Sequence, residues 1–245
     1  MKLEGQVALI TGASHGLGLA IAHTLAASGA SIGCVARASP ALDQAIARLR
    51  AGGAQAIAAP ADVTRESEIE AAVRATVEQW GRLDIVILNA GTWKPGKVHE
   101  TTEADWDLLI DLNLKGAFLT LKHAVPWLAE QRRGTIVGID SLGGLVGLPD
   151  SAAYAASKWG LRGLLESVAL EVKPRGVRVS IVYPHNINSE KRKIAPDSEA
   201  RDRNLEPEEV ASLVAFVCEA PDHVAIGSAT ILPLAAGIRT FTGES

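Results

Sequence analysis

A chain of 245 residues, 47% of them hydrophobic, can fill one substantial core and is too short for two comfortable domains. Aromatic residues make up only 4%, so the core must be built from Ala, Val, Ile and Leu, which suits a parallel sheet covered by helices better than an all-β sandwich. A net charge of -4 with interspersed signs excludes a broad basic face for nucleic acid. Cys34 and Cys218 have neither a CxxC partner nor a nearby His cluster, so no disulfide framework and no metal site is expected. Met1–Gly5 leads straight into the short apolar run Val7–Ile10, unlike a signal peptide. No segment approaches ~20 uninterrupted apolar residues. A soluble, cytoplasmic protein with no membrane partner is expected.

In chain order, the pattern predicts a strand at Val7–Thr11, a helix from near Leu17, a strand at Ser31–Ala36 and a helix from Pro40. Strands at Ala54–Ala58 and Ile85–Asn89 follow, with a helix from Glu66 between them and another from Glu103. The second half gives strands at Thr135–Asp140, Arg178–Val182 and Thr230–Pro233, separated by helices from near Ser151 and Pro207. Pro207 and two glutamates in a first turn form a good helix start. Such alternation predicts an α/β fold: a three-layer, Rossmann-type doubly wound sheet of roughly seven mostly parallel strands, helices on both faces. Nothing divides residues 1–245, which read as a single domain. The irregular, polar stretch 184–204 is expected to be a substrate-binding lid, and its run Lys191-Arg192-Lys193 a solvated face.

Chemistry enters after the first strand, at Thr11-Gly12-Ala13-Ser14-His15-Gly16-Leu17-Gly18. Glycines at a strand-to-helix turn permit the tight bend, close approach to a pyrophosphate and close packing of helix on sheet. The helix N-terminus then offers free N–H groups and a positive dipole end. The spacing G-x3-G-x-G differs from the commonest dinucleotide fingerprint, and a merely tight connection would use the same residues. At the end of the second strand an acidic residue is missing and Arg37 stands available for a 2′-phosphate, favouring NADP(H) over NAD(H). His15 adds partial positive character to the turn.

Tyr154 and Lys158 share a helix face at i,i+4. A neighbouring ammonium favours the phenolate and lowers the tyrosine pKa, fitting the pair for proton exchange with an alcohol or carbonyl oxygen. Y-x-x-x-K alone is common by chance. Here Asp140-Ser141 ends a predicted strand thirteen positions before Tyr154, at the sheet edge where ligands bind in this architecture. A hydroxyl there stabilises developing charge. Asn89-Ala90-Gly91 ends another strand at that edge, and Asn113 interrupts a long helical pattern where asparagine is a poor interior residue.

In order and spacing, Thr11–Gly18, Asp62-Val63, Asn89-Ala90-Gly91, Asn113, Ser141, Tyr154/Lys158 and Pro184 resemble the short-chain dehydrogenase/reductase family, from about Leu3 to Ser189. The resemblance implies Tyr154 as general acid/base and Ser141 as orienter of the substrate carbonyl. Lys158 would bind the nicotinamide ribose and lower the tyrosine pKa, and Asn113 would anchor a water in a proton relay. The cofactor-binding residues implied are Gly12, Ser14, His15, Gly16, Leu17, Gly18, Arg37, Asp62, Val63, Asn89, Ala90 and Gly91, with Tyr154, Lys158, Pro184, Ile187 and Ser189 towards the nicotinamide. Ser141, Trp93, Gly143, Tyr154 and His185 would face substrate. Leu142, Leu145, Val146, Leu148, Trp159 and Tyr183 lie near the pocket mouth in sequence and read equally well as core or interface. A homotetramer, or a homodimer, is implied, with helices around Glu103–Glu130 and Ser151–Val172 at an interface.

The chain also departs from the family pattern. His185 follows Pro184 where glycine is usual, Ser189 replaces threonine, Leu88 replaces asparagine, and Leu234-Ala235-Ala236-Gly237 replaces Val-Asp-Gly-Gly. The last difference weakens assignment to the fatty-acid-synthesis ketoreductases. The expected activity is an NADP(H)-dependent carbonyl or ketoacyl-type reductase. The alternatives are an NAD-dependent alcohol dehydrogenase of the same family, a catalytically silent cofactor-sensing protein, and a non-redox interaction domain.

Overall fold

The first strand, β1 (Val7–Thr11), is buried along its whole length because its side chains alternate between two apolar layers. Ala8 and Ile10 enter one layer with α1 (Gly16–Ala27), α2 (Pro40–Ala51) and α7 (Pro207–Cys218). Val7 and Leu9 enter the other, with α3 (Glu66–Trp80), α5 (Gly116–Gln131) and α6 (Ala152–Val172). A computed structural model describes residues 2–188 and 203–236. Ser189, the Lys191-Arg192-Lys193 run, most of the expected lid and Gly237 lie outside the described residues.

Seven parallel strands form one sheet in the order β3-β2-β1-β4-β5-β6-β7. The others are β2 (Ser31–Ala36), β3 (Ala56–Pro60), β4 (Ile85–Leu88), β5 (Gly134–Ile139), β6 (Val177–Pro184) and β7 (Ser228–Ile231). The strand order reverses between β1 and β4, which opens a crevice at their carboxyl ends. Because all strands run the same way, Gly12, Arg37, Asp62, Asn89, Ser141 and His185 are delivered to one edge.

Several boundaries differ from the sequence expectation for local reasons. β3 starts at Ala56, not Ala54, because the Ala54 N–H still closes α2 on the Leu49 carbonyl, with Gly53 at φ +85 between them. β7 stops before Pro233, which has no N–H for a ladder. The pattern from Glu103 is three elements: α4 (Glu103–Ile110), a π turn over Asp111–Lys115, and α5. Asn113 sits in that π turn, which accounts for an asparagine inside a long helical pattern. The start of α7 is as expected and carries a reciprocal cap between Glu206 and Glu209. Among the described residues no helix is long and apolar enough to cross a membrane.

Candidate active site

The glycine turn is built around backbone contact. Gly12 and Gly16 have φ +69 and +55, the left-handed region glycine enters without strain. A Cβ on Gly18 would lie 2.2 Å from the Gly12 carbonyl oxygen and 2.6 Å from Asn89 Nδ2. The start of α1 therefore rests directly on the turn. Asn89 ties the two halves of the crevice together, donating from Nδ2 to the carbonyls of Thr11 (3.0 Å) and Gly12 (3.3 Å). Thr11 Oγ1 in turn accepts the N–H groups of Asn89 (2.9 Å) and Ala90 (3.0 Å). Thr11 escaped the sequence reading as a positioning residue, although it heads the motif.

This cradle fits the pyrophosphate of a dinucleotide. The N-cap residue His15 makes no side-chain bond to α1, and the first turn holds no acidic group, so its N–H groups face no competing anion. His15 Nδ1 instead contacts Ser14 Oγ at 2.9 Å. Leu17 packs against the core from the first turn. Arg37 is exposed at the end of β2. Asp62 Oδ1 accepts from the Thr64 backbone (3.0 Å) and hydroxyl (2.8 Å), and that bonding, with Arg37 and Arg65 nearby, holds the carboxylate below its usual range. Val63 packs against Gly116, where an added Cβ would meet it at 2.7 Å.

The second cluster forms where β5 runs out beside α6. Lys158 is buried and its Nζ donates to the Ile139 carbonyl at 2.9 Å, 6.0 Å from the centre of the Tyr154 ring. Ser141 caps a short turn, accepting the Gly143 N–H at 3.2 Å. Gly143 lies on the Tyr154 ring, where an added Cβ would meet Cε1 at 3.1 Å. Ser141, Gly143, Tyr154 and Lys158 are thus one constellation. Burial pushes Tyr154 up to about 12, opposed by the Ser141 hydroxyl and reinforced by Asp140. The expectation that Lys158 lowers the tyrosine is therefore not met by the protein alone. Burial also depresses Lys158, while Asp140 favours its charged form.

The Asn113 side chain is bonded within the protein. Its Oδ1 accepts the Thr92 N–H (2.7 Å), while Nδ2 donates to the Thr92 carbonyl (3.0 Å) and Ser157 Oγ (3.0 Å). Both amide donors are therefore spent. Ser157 passes the link on, donating to the Tyr154 carbonyl at 2.7 Å. The side chain pins the exit of β4 to the turn carrying Tyr154, and Gly91 sits against it, where a Cβ would be 3.0 Å from Oδ1. Asn113→Ala leaves the half-buried Thr92 backbone groups and the Ser157 hydroxyl without this partner, a loss of about 1 kcal/mol for each bond. Thermal denaturation should show a clear loss of stability; an unchanged Tm would contradict this pinning role.

The remaining expected residues fall into two groups. Trp93 is half-exposed beside this edge, its Nε1 donating to Ser151 Oγ at 3.5 Å. Pro184 ends β6, and His185 donates its N–H to Ile231 at 2.9 Å with Nδ1 buried and unpartnered. Burial holds the His185 imidazole below its usual pKa. Ile187 bridges to Leu205. Leu142 and Tyr183 are core residues, Leu145 packs against the same core, and exposed Trp159 stacks with Arg162 at 5.7 Å. Leu148 does border the site, 3.4 Å from a Cβ placed on Gly143. Asp140, which the sequence marks only as a strand end, is buried beside the constellation. An ionisable residue closing an apolar strand was its only signal.

Comparison with known proteins gives one consistent result. The profile of the family described as short chain dehydrogenase matches residues 6–200. A 3-oxoacyl-[acyl-carrier-protein] reductase of Synechocystis sp. is 36% identical over 229 residues, 89% of this chain and 91% of that protein. An uncharacterized oxidoreductase of Listeria monocytogenes is 31% identical, covering 95% of this chain and 98% of its own length. Among solved structures, a metagenomic short-chain oxidoreductase in complex with NADP superposes with a TM-score of 0.83 at 35% identity, covering 95% of this chain and 99% of that one. Levodione reductase gives 0.87 at 30% identity, with 96% and 98% covered.

Proposed function

The chain belongs to the short chain dehydrogenase family, and from that premise we propose an NADP(H)-dependent carbonyl reductase or alcohol dehydrogenase. The observation that carries this reading is the meeting of Ser141, Tyr154 and Lys158 at the same sheet edge as the glycine cradle. When bound, the dinucleotide supplies the hydride donor or acceptor.

The chain's own residues handle the proton. Tyr154 Oη gives its proton to the carbonyl oxygen during reduction and takes one from the alcohol in reverse. The Ser141 hydroxyl holds that oxygen and stabilises its developing charge. Lys158, fixed by the Ile139 carbonyl, supplies positive charge beneath the ring and a donor for the ribose. Gly12, Ser14, His15, Gly16, Leu17 and Gly18 take the pyrophosphate, and Asp62, Val63, Asn89, Ala90 and Gly91 the adenosine end, with Pro184 and Ile187 towards the carboxamide. Gly143, Trp93 and His185 border the substrate space. The Synechocystis relative and the NADP complex support a ketoacyl-type or other ketone substrate and a phosphorylated cofactor.

A panel of carbonyl and alcohol substrates with NADPH and NADP+, read by absorbance, tests the proposal. Turnover of at least one ketone or secondary alcohol is expected. No binding of either nicotinamide cofactor, measured by its fluorescence, would exclude the enzyme reading. Cofactor choice rests on Arg37, which would lose charge-assisted bonds of about 1.5–3 kcal/mol on Arg37→Asp. The NADPH/NADH ratio of kcat/KM should then fall roughly 10- to 100-fold; an unchanged ratio would refute the role of Arg37.

The same reading includes one domain, a cytoplasmic location and a homotetramer or homodimer. The exposed Trp106, Leu108, Phe118, Trp127 and Trp159 on α4, α5 and α6 support self-association. Sedimentation of the purified protein as a monomer would contradict it.

A further inference from the structure

The least expected group in this region is Asp140. It follows the last residue of β5, is 3% exposed, and neither carboxyl oxygen has a side-chain hydrogen-bond partner, the Ser141 backbone easing its charge. It is not held off by empty space: a Cβ on Gly144 would lie 2.5 Å and 2.7 Å from its two oxygens. A buried carboxylate with so little bonding is costly, and such a group survives in a fold where something nearby offsets that cost. Its neighbours in sequence identify what. Ile139 holds the Lys158 ammonium by its carbonyl, and Ser141 holds the turn that lies on the Tyr154 ring. The residues on either side of Asp140 thus hold the two members of one constellation, Lys158 and Tyr154. The charged and titratable groups facing the carboxyl are Lys158, Arg162 and Tyr154 from α6 and Tyr183 from β6.

We propose that Asp140 is a positioning residue, its buried carboxyl acting as an adjustable counter-charge that keeps Lys158 protonated and opposes the Tyr154 phenolate. The proposal rests on the reductase reading of this site and adds a residue to it. With the carboxyl protonated, its opposition to the Tyr154 phenolate is absent. Once the carboxyl is ionised, it keeps Lys158 charged in a dry site and opposes the phenolate. Burial pushes Asp140 up to about 7, against the pull of Lys158. The switch between the two states therefore falls in the neutral range. Ionisation in the fold is held above the 3.8 of a free aspartate, so stability is lost as pH rises from that value through about 7. Asp140→Asn removes this loss, and its Tm should gain on the wild type across that window.

The direct test needs no turnover. The chain has only two tyrosines, Tyr154 and Tyr183, so isotope-labelled tyrosine gives two NMR signals, assigned with Tyr183→Phe. In the wild type the Tyr154 signal should shift with a midpoint near neutral pH. That midpoint should vanish in Asp140→Asn and in Asp140→Ser, the second covering a failure of the first to fold, and should rise in Lys158→Met. A Tyr154 signal flat across neutral pH in the wild type, or the same midpoint in the Asp140 variants, overturns the proposal. In the pH profile of kcat/KM, the wild type should carry a neutral inflection that Asp140→Asn lacks; identical profiles also overturn it. A wild type that shows the NMR midpoint yet turns over no carbonyl or alcohol supports the counter-charge and retires the reductase reading alone.

Discussion

Replacing Tyr154 by phenylalanine should lower kcat/KM about 100- to 10,000-fold, the range over which a positioned acid/base group acts. The reason is specific to one atom. The ring is fixed from below by Gly143 and from behind by the Ser157 bond to its backbone carbonyl, so the phenylalanine ring keeps the same seat. Only the hydroxyl, held near Ser141, is lost. Cofactor affinity should change little, because the cradle of Gly12, Gly16 and Gly18 stands on β1 and α1. Steady-state kinetics combined with NADPH fluorescence titration separates the two effects. Retained activity would reject Tyr154 as the acid/base; a matching collapse in affinity would make it a binding residue.

The second large effect is expected at Gly18, and it runs the other way. The smallest side chain there would sit 2.2 Å from the Gly12 carbonyl oxygen and 2.6 Å from Asn89 Nδ2. Backbone cannot yield as a flexible side chain would, so Gly18→Ala must displace α1 from the turn. Overpacking of this kind costs about 1–3 kcal/mol. NADPH affinity should weaken roughly tenfold to a hundredfold, since the cradle's N–H groups are moved. Gly163, which has open space on α6, is the control: Gly163→Ala should leave affinity unchanged. Equal effects at the two positions would refute the close-approach argument.

Much of this was legible in the sequence because two strong periodicities coincide. The doubly buried strands β1 and β4 are continuous apolar runs, and Pro40 and Pro207 mark helix starts by chemistry that leaves little choice. Boundaries drifted where a helix closure or a proline decided them, as at Ala54 and Pro233. The spacing of Ser141, Tyr154 and Lys158 followed from the strand-then-helix order, so their meeting was foreseeable. What the sequence withheld were interactions set by depth. The burial of Tyr154 overrides the helical neighbour expected to ease its ionisation. Asn113 spends both amide donors on protein partners, which no spacing discloses. Leu142 and Tyr183 belong to the core, an outcome their positions left open against the pocket mouth. Asp140 matters only once its carboxyl is known to be buried without a side-chain partner.

In the proposed reaction Tyr154 moves a proton while hydride passes between a nicotinamide and a carbonyl carbon. The most direct measurement follows the label from NADPH deuterated at its transferable position into a ketone, by mass spectrometry of the product. Deuterium on the carbinol carbon is expected with the wild type, and none above background with Tyr154→Phe. Product without deuterium, or equal transfer by the two proteins, would contradict the account.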